Sequence, residues 1–137
     1  MTSDFATPNA PDSKCESIGA NFNQYSNRVF CGTSRGPIVW YQINGSVLKK
    51  EAEFAAHLDS VRTINFHHDR KVMLTTGRDG SAKVWDSSAD NFQPKILGNL
   101  VLHKENIPGA AFIGKDLALT GSWDQKLALW SLKEMIH

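Results

Sequence analysis

The chain is most easily approached through what it has little of. Its 137 residues carry a formal net charge of only +1, and no run of like charge is longer than the pair Lys49-Lys50, which Glu51 follows at once. Nothing therefore pulls it at long range toward nucleic acid or an anionic membrane. No apolar run approaches the length of a bilayer span, and the amino terminus has no basic start followed by an apolar core. Neither a membrane helix nor a secretory signal is expected. The sequence has two cysteines, Cys15 and Cys31, too few for a disulfide framework. Cys31 falls in an expected strand and Cys15 in a polar lead-in, which predicts two reduced thiols and an intracellular protein, cytoplasmic or nuclear. With 41% hydrophobic residues, the rest is the composition of one ordinary soluble domain.

What the sequence does contain is a repeat. His57, Thr75, Asp79 and Trp85 return as His103, Thr120, Asp124 and Trp130. The Thr, Asp and Trp follow the His by 18, 22 and 28 residues in the first copy and by 17, 21 and 27 in the second. One deletion separates the two copies. A period of this size belongs to repeat architectures, and the residues between the anchors choose among them. Ser60-Val61-Arg62-Thr63-Ile64-Asn65-Phe66 alternates apolar and polar side chains as a half-buried strand does. A turn follows at His67-His68-Asp69-Arg70, then a second run at Val72-Met73-Leu74-Thr75. Arg78-Asp79-Gly80 suits a tight hairpin turn, and Ala82-Lys83-Val84-Trp85 makes a third strand. The second copy repeats the meander with Gly109-Ala110-Ala111-Phe112-Ile113, Leu117-Ala118-Leu119-Thr120 and Lys126-Leu127-Ala128-Leu129-Trp130.

Ala56-His57, Thr75-Thr76-Gly77-Arg78-Asp79-Gly80 and Val84-Trp85-Asp86 resemble the WD-repeat family of β-propellers. The resemblance implies an all-β fold, with four-stranded antiparallel blades in which the His, Thr, Asp and Trp form a buried hydrogen-bonded quartet. The chemistry agrees: an Asp can accept from an imidazole N–H, the imidazole can face a hydroxyl, and the hydroxyl can meet an indole N–H. Residues 57–102 and 103–137 are read as two blades, with their outer strands in connectors such as Pro94 to Leu102.

A degenerate blade is expected upstream, at residues 17–54, after a flexible lead-in over 1–16. Setting Tyr41 opposite Trp85 in one gapless register places Phe22 on Phe66, Cys31 on Thr75, Arg35 on Asp79, Gly36 on Gly80 and Ser13 where the His would stand. All four quartet positions differ, so this blade keeps its shape through apolar residues and loses its polar network. Ser46 to Phe54 would supply its outer strand.

Three blades do not close a ring of the usual four to eight. The last blade stops after its third strand, without an outer one, and an open arc leaves an apolar sheet face wet at each end. Two completions are expected: further blades of a longer propeller, of which this would be the carboxy-terminal part, or a second copy of the chain.

No catalytic constellation, cofactor site or metal site is expected. His67-His68-Asp69 reads as a solvated turn, because adjacent side chains on an extended turn diverge. His57, Thr75 and Asp79 would be buried under a Trp, where a nucleophile meets no substrate. Gly32-Thr33-Ser34-Arg35-Gly36 lacks the lysine of a phosphate loop. Recognition remains. The family resemblance implies contacts with peptides and proteins on the face around the central channel, at Arg78 and Trp123 before the turn acids, Ser60 and Arg62 after His57, and Asn106 and Pro108 after His103. Ser34 is the weak counterpart in the first unit. Trp and Arg are favoured interface anchors, and the arginines suit an acidic or phosphorylated partner. Nucleic-acid binding, in a ribonucleoprotein or chromatin subunit, is the alternative, disfavoured by the near-neutral charge.

Overall fold

The structure, a computed structural model, describes residues 14–23, 26–68, 71–88 and 95–135. Residues 1–13 of the lead-in, Ser13 among them, lie outside the described residues, as do Asp69 and Arg70 of the turn, Pro94, and residues 136–137. Among the described residues eleven strands in chain order form three antiparallel meanders. The first sheet is β1 (Cys15–Asn23), β2 (Ser26–Thr33), β3 (Pro37–Asn44) and β4 (Val47–Ala55). The second is β5 (Val61–Phe66), β6 (Val72–Gly77), β7 (Ala82–Asp86) and β8 (Lys95–Leu100). The third has, among the described residues, three strands: β9 (Gly109–Ile113), β10 (Leu117–Gly121) and β11 (Leu127–Ser131). Among the described residues there is no helix, hence none long and apolar enough to cross a membrane.

The sheets stack face to face, each burying one side of its neighbour. Phe30, Ile38 and Trp40 of the first sheet pack with Val61, Ile64, Met73 and Trp85 of the second. One step on, Val72, Leu74, Ala82 and Val84 of the second pack against Ala118, Phe112 and Trp130 of the third. Phe54 of β4 meets the Trp85 ring edge-on at 5.3 Å between centroids. In the third sheet the positions matching Leu74, Ala82 and Val84 are Leu119, Leu127 and Leu129. Leu127 is 77% exposed and Leu129 63% exposed, because among the described residues no fourth sheet covers them.

The turn between the second and third strands of a sheet abuts the backbone that enters the next sheet. Gly36 there has φ +114°, and a Cβ on it would collide with the His57 carbonyl oxygen. Gly80 has φ +81° and lies under His103, Lys104 and Glu105. Both conformation and space call for glycine.

Three expectations need correction. The gapless register of the first unit fails in its first hairpin. Ala20 pairs with Val29 whereas Phe66 pairs with Met73, so the hairpin is two residues longer and Ala20, not Phe22, is the counterpart of Phe66. The lead-in also ends earlier than residue 16, because β1 begins at Cys15. Finally, the cysteines are not two separate thiols. With Cys15 inside β1, their Cα atoms lie 5.5 Å apart and the sulfurs form a disulfide.

Candidate protein-interaction site

The scaffold of the site is the pair of quartets. Trp85 Nε1–H donates to Thr75 Oγ1 at 2.9 Å, and Thr75 Oγ1 lies 2.8 Å from His57 Nε2. In the third sheet Trp130 Nε1–H donates to Thr120 Oγ1 at 2.9 Å, and Thr120 Oγ1 lies 2.8 Å from His103 Nε2. In each sheet an acceptor faces Nδ1, the Asp124 carboxylate beside His103 and the Ser81 oxygen beside His57, so each histidine carries its proton on Nδ1 and its Nε2 accepts from the threonine hydroxyl. His103 Nδ1 faces Asp124 Oδ2 directly at 2.9 Å. In the second sheet the link runs mainly through a residue the motif did not flag. His57 Nδ1 is 2.7 Å from Ser81 Oγ, which donates to Asp79 Oδ1 at 2.7 Å, while the direct His57 to Asp79 separation is 3.3 Å.

Burial pushes the His57 imidazole pKa down to about 4, against the opposing pull of Asp79. The quartet is therefore neutral at its histidine. Burial works against ionisation of Asp79, yet hydrogen bonds from the Leu58 amide and from the Ser81 hydroxyl and amide outweigh it and hold the carboxyl below its ordinary value. Thr75 is fully buried with its hydroxyl engaged on both sides, so it presents no nucleophile.

These clasps fix one edge of the stack. In each sheet the residue before the turn acid, or its counterpart, donates its amide to the carbonyl three residues after the His position. Arg78 N–H reaches Ser60 O at 2.8 Å, and Trp123 N–H reaches Asn106 O at 3.0 Å. In the first sheet Ser34 N–H reaches Lys14 O at 2.8 Å. Ser34, Arg78 and Trp123 thus form a row along the same edge, one per sheet. Arg78 is exposed, as is Trp123 at 60%, so the indole does not fold back into the core.

The other four expected contact residues divide. Pro108 is exposed. Ser60 and Asn106 are buried and act within the stack: Arg62 Nε–H donates to Asn106 Oδ1 at 2.9 Å, and Ser60 Oγ bonds the Glu16 carboxylate. Glu16 also lies 3.6 Å from Arg62 Nη1. Arg62 is therefore a partly screened charge rather than an open one, which narrows the cationic spot to Arg78. The reason is a pair of β-bulges, at Cys15/Ser17 in β1 and at Val61/Thr63 in β5. Each turns its extra residue, Glu16 or Arg62, toward the next sheet. Glu16 was missed because it sat in a segment without period. The turn at His67-His68 also differs from expectation: His67 is buried, with Nε2–H donating to Lys115 O at 3.1 Å and its ring edge-on to Phe112. It packs against the third sheet, while His68 is exposed. Among the described residues no group of three or more His, Cys, Asp or Glu is placed to hold a metal.

The WD40 family model, "WD domain, G-beta repeat", matches residues 48–86. SIR4-interacting protein SIF2 of Saccharomyces cerevisiae is 27% identical over 100 residues, 73% of this chain and 18% of its own length. Target of rapamycin complex subunit wat1 of Schizosaccharomyces pombe is 40% identical over 53 residues, 39% of this chain and 17% of its own. The chain thus spans less than a fifth of either relative. A chain in a crystal structure of a mitotic checkpoint complex superposes with a TM-score of 0.75 at 18% identity, covering 93% of this chain and 37% of that one, a likeness of fold. The stacked meanders, the two quartets, the repeat matched over residues 48–86 and these relatives together support a WD-repeat β-propeller, the family that the sequence motifs resemble.

Proposed function

We propose that the chain is a non-catalytic arc of a WD-repeat propeller that binds a protein or peptide partner through the edge carrying Arg78, Trp123 and Pro108. The observation that supports this most is Trp123: its backbone is tied to Asn106, yet its indole is held outside the core, where an aromatic ring is costly to leave in water. Arg78 occupies the matching position one sheet earlier, and its guanidinium forms no hydrogen bond or ion pair among the described residues. That pairing of cation and aromatic suits an acidic or phosphorylated segment. The setting we propose is intracellular, cytoplasmic or nuclear.

Completion of the ring belongs to the same reading. The leucine face of the third sheet, uncovered at positions that the first two sheets bury, needs a further blade or a second copy against it, and we favour further blades of a longer chain. The test is affinity capture from cells with the wild-type protein and Arg78→Ala/Trp123→Ala. The circular dichroism of the two should coincide, and the variant should lose the captured partner. Equal recovery would overturn the proposal, and loss of recovery on nuclease treatment would favour nucleic acid instead.

A further inference from the structure

The first sheet lacks the quartet but not a tie at the same place. Cys31 pairs with Val39 as Thr75 pairs with Lys83, so Cys31 holds the position of the quartet threonine. In the second sheet that position is bonded to His57, just ahead of the innermost strand. In the first it is bonded to Cys15, the opening residue of the innermost strand. Immediately after Cys15 comes the bulged Glu16, whose carboxylate takes the Ser60 hydroxyl and approaches Arg62. Besides the disulfide, this strand end is held by its ladder pairing of Cys15 with Thr33 and of Ser17 with Gly32, irregular at the bulge between them, by the hydrogen bonds exchanged with Ser34 at the surface and by that from Ser17 Oγ to Val61 O at 2.9 Å.

We propose that the Cys15–Cys31 disulfide is a redox latch, which when closed holds Glu16 against Ser60 and Arg62 and when opened releases that carboxylate from the neighbouring sheet. Cys31 is buried, while Cys15 is half-exposed, so a small dithiol reductant attacks the Cys15 sulfur. The Cys15–Cys31 bond breaks, a mixed disulfide forms on Cys15, and Cys31 leaves as a thiolate that takes up a proton. The second thiol of the reductant then attacks its own sulfur in the mixed disulfide. Cys15 leaves, is protonated, and the reductant departs as a cyclic disulfide. Two electrons and two protons pass to the protein. Reversible disulfides of intracellular proteins are commonly redox-sensing rather than structural. With the latch open, Arg62 keeps Asn106 but loses its nearby carboxylate, so the edge that carries Arg78 gains an uncompensated positive charge. The latch itself needs no partner to be real.

The test uses the full chain, oxidised and after dithiothreitol, with amide hydrogen exchange followed by mass spectrometry. Alkylation without denaturant should modify neither cysteine before reduction and Cys15 after it. Exchange in residues 15–19 should then rise roughly tenfold or more, with 72–86 unchanged, as expected for local opening of one strand end. Cys15→Ser should show the fast exchange from the outset and ignore the reductant. Alkylation of Cys15 in the untreated protein, or exchange at 15–19 that does not change on reduction, would overturn the proposal. If Cys15→Ser failed to fold, Cys31→Ala would stand in its place under the same criteria. A latch that opens as described alongside an Arg78→Ala/Trp123→Ala variant that still captures partner would leave this inference standing and remove only the binding-edge proposal.

Discussion

Arg62 donates its Nε–H to Asn106 Oδ1 at 2.9 Å, and the bond joins a bulged residue of one innermost strand to the third residue after the quartet histidine of the next sheet. Glu16 and Ser60 stand in the same relationship one sheet earlier. These contacts tie the stacked sheets along the proposed binding edge, and they set the limits on what that edge can display. Arg62→Ala should therefore act on the stack as well as on charge, by removing one charge-assisted hydrogen bond. An unfolding free energy lower by roughly 1.5–3 kcal/mol in urea is expected, against a change within about 0.5 kcal/mol for Arg78→Ala, whose side chain is exposed.

The two threonine hubs differ in how much water can rescue them. Thr75→Val removes the acceptor of a buried indole and the partner of a buried imidazole, and about 1–3 kcal/mol per stranded group is expected. Trp130 is more exposed than Trp85, so water can reach its N–H and Thr120→Val should cost less. Denaturant midpoints of the two variants, measured together, check the order.

Acid should loosen the second sheet. The His57 pKa stands at about 4 in the fold because of burial, against 6.5 ordinarily. The unfolded chain therefore binds the proton first as pH falls. The contribution is fully present above about pH 6.5 and is lost between there and pH 4. It totals roughly 3 kcal/mol at 1.36 kcal/mol per pKa unit. An imidazole titration followed by nuclear magnetic resonance should place His57 near the low end of that window, and a midpoint at its ordinary value would contradict the burial argument.

Gly36 and Gly45 both have positive φ, but only Gly36 has a neighbouring backbone where a Cβ would go, Gly45 having nothing within 4 Å. Gly45→Ala should cost about 1 kcal/mol for the left-handed conformation alone. Gly36→Ala must also displace the His57 carbonyl, so its thermal midpoint should fall well below that of Gly45→Ala. Equal losses would mean that the turn of the first sheet does not seat against the second.

Much of this was written locally. The strand β9 coincides with the run Gly109 to Ile113, and the quartets are visible because their spacing fixes both the residue type and its place on a strand or turn. Where the reading failed, the governing contacts were long-range or broke a period. The bulge at Arg62 changes the burial of β5 from simple alternation, and nothing near Glu16 announces that its carboxylate meets a residue in another sheet. A hairpin longer by two residues shifted the alignment of Phe22, and the position of Cys15 followed from the same strand. His67 looked solvated because the Phe112 ring that it packs against is far away in sequence.

Indole hydrogen exchange tests the central claim, that buried quartets hold a rigid edge from which Trp123 projects. With tryptophan indoles labelled by nitrogen-15, the Trp85 N–H, bonded to Thr75 in the core, should exchange far more slowly than the Trp123 N–H, whose ring is 60% exposed. Exchange of Trp85 as fast as that of Trp123 would contradict the account.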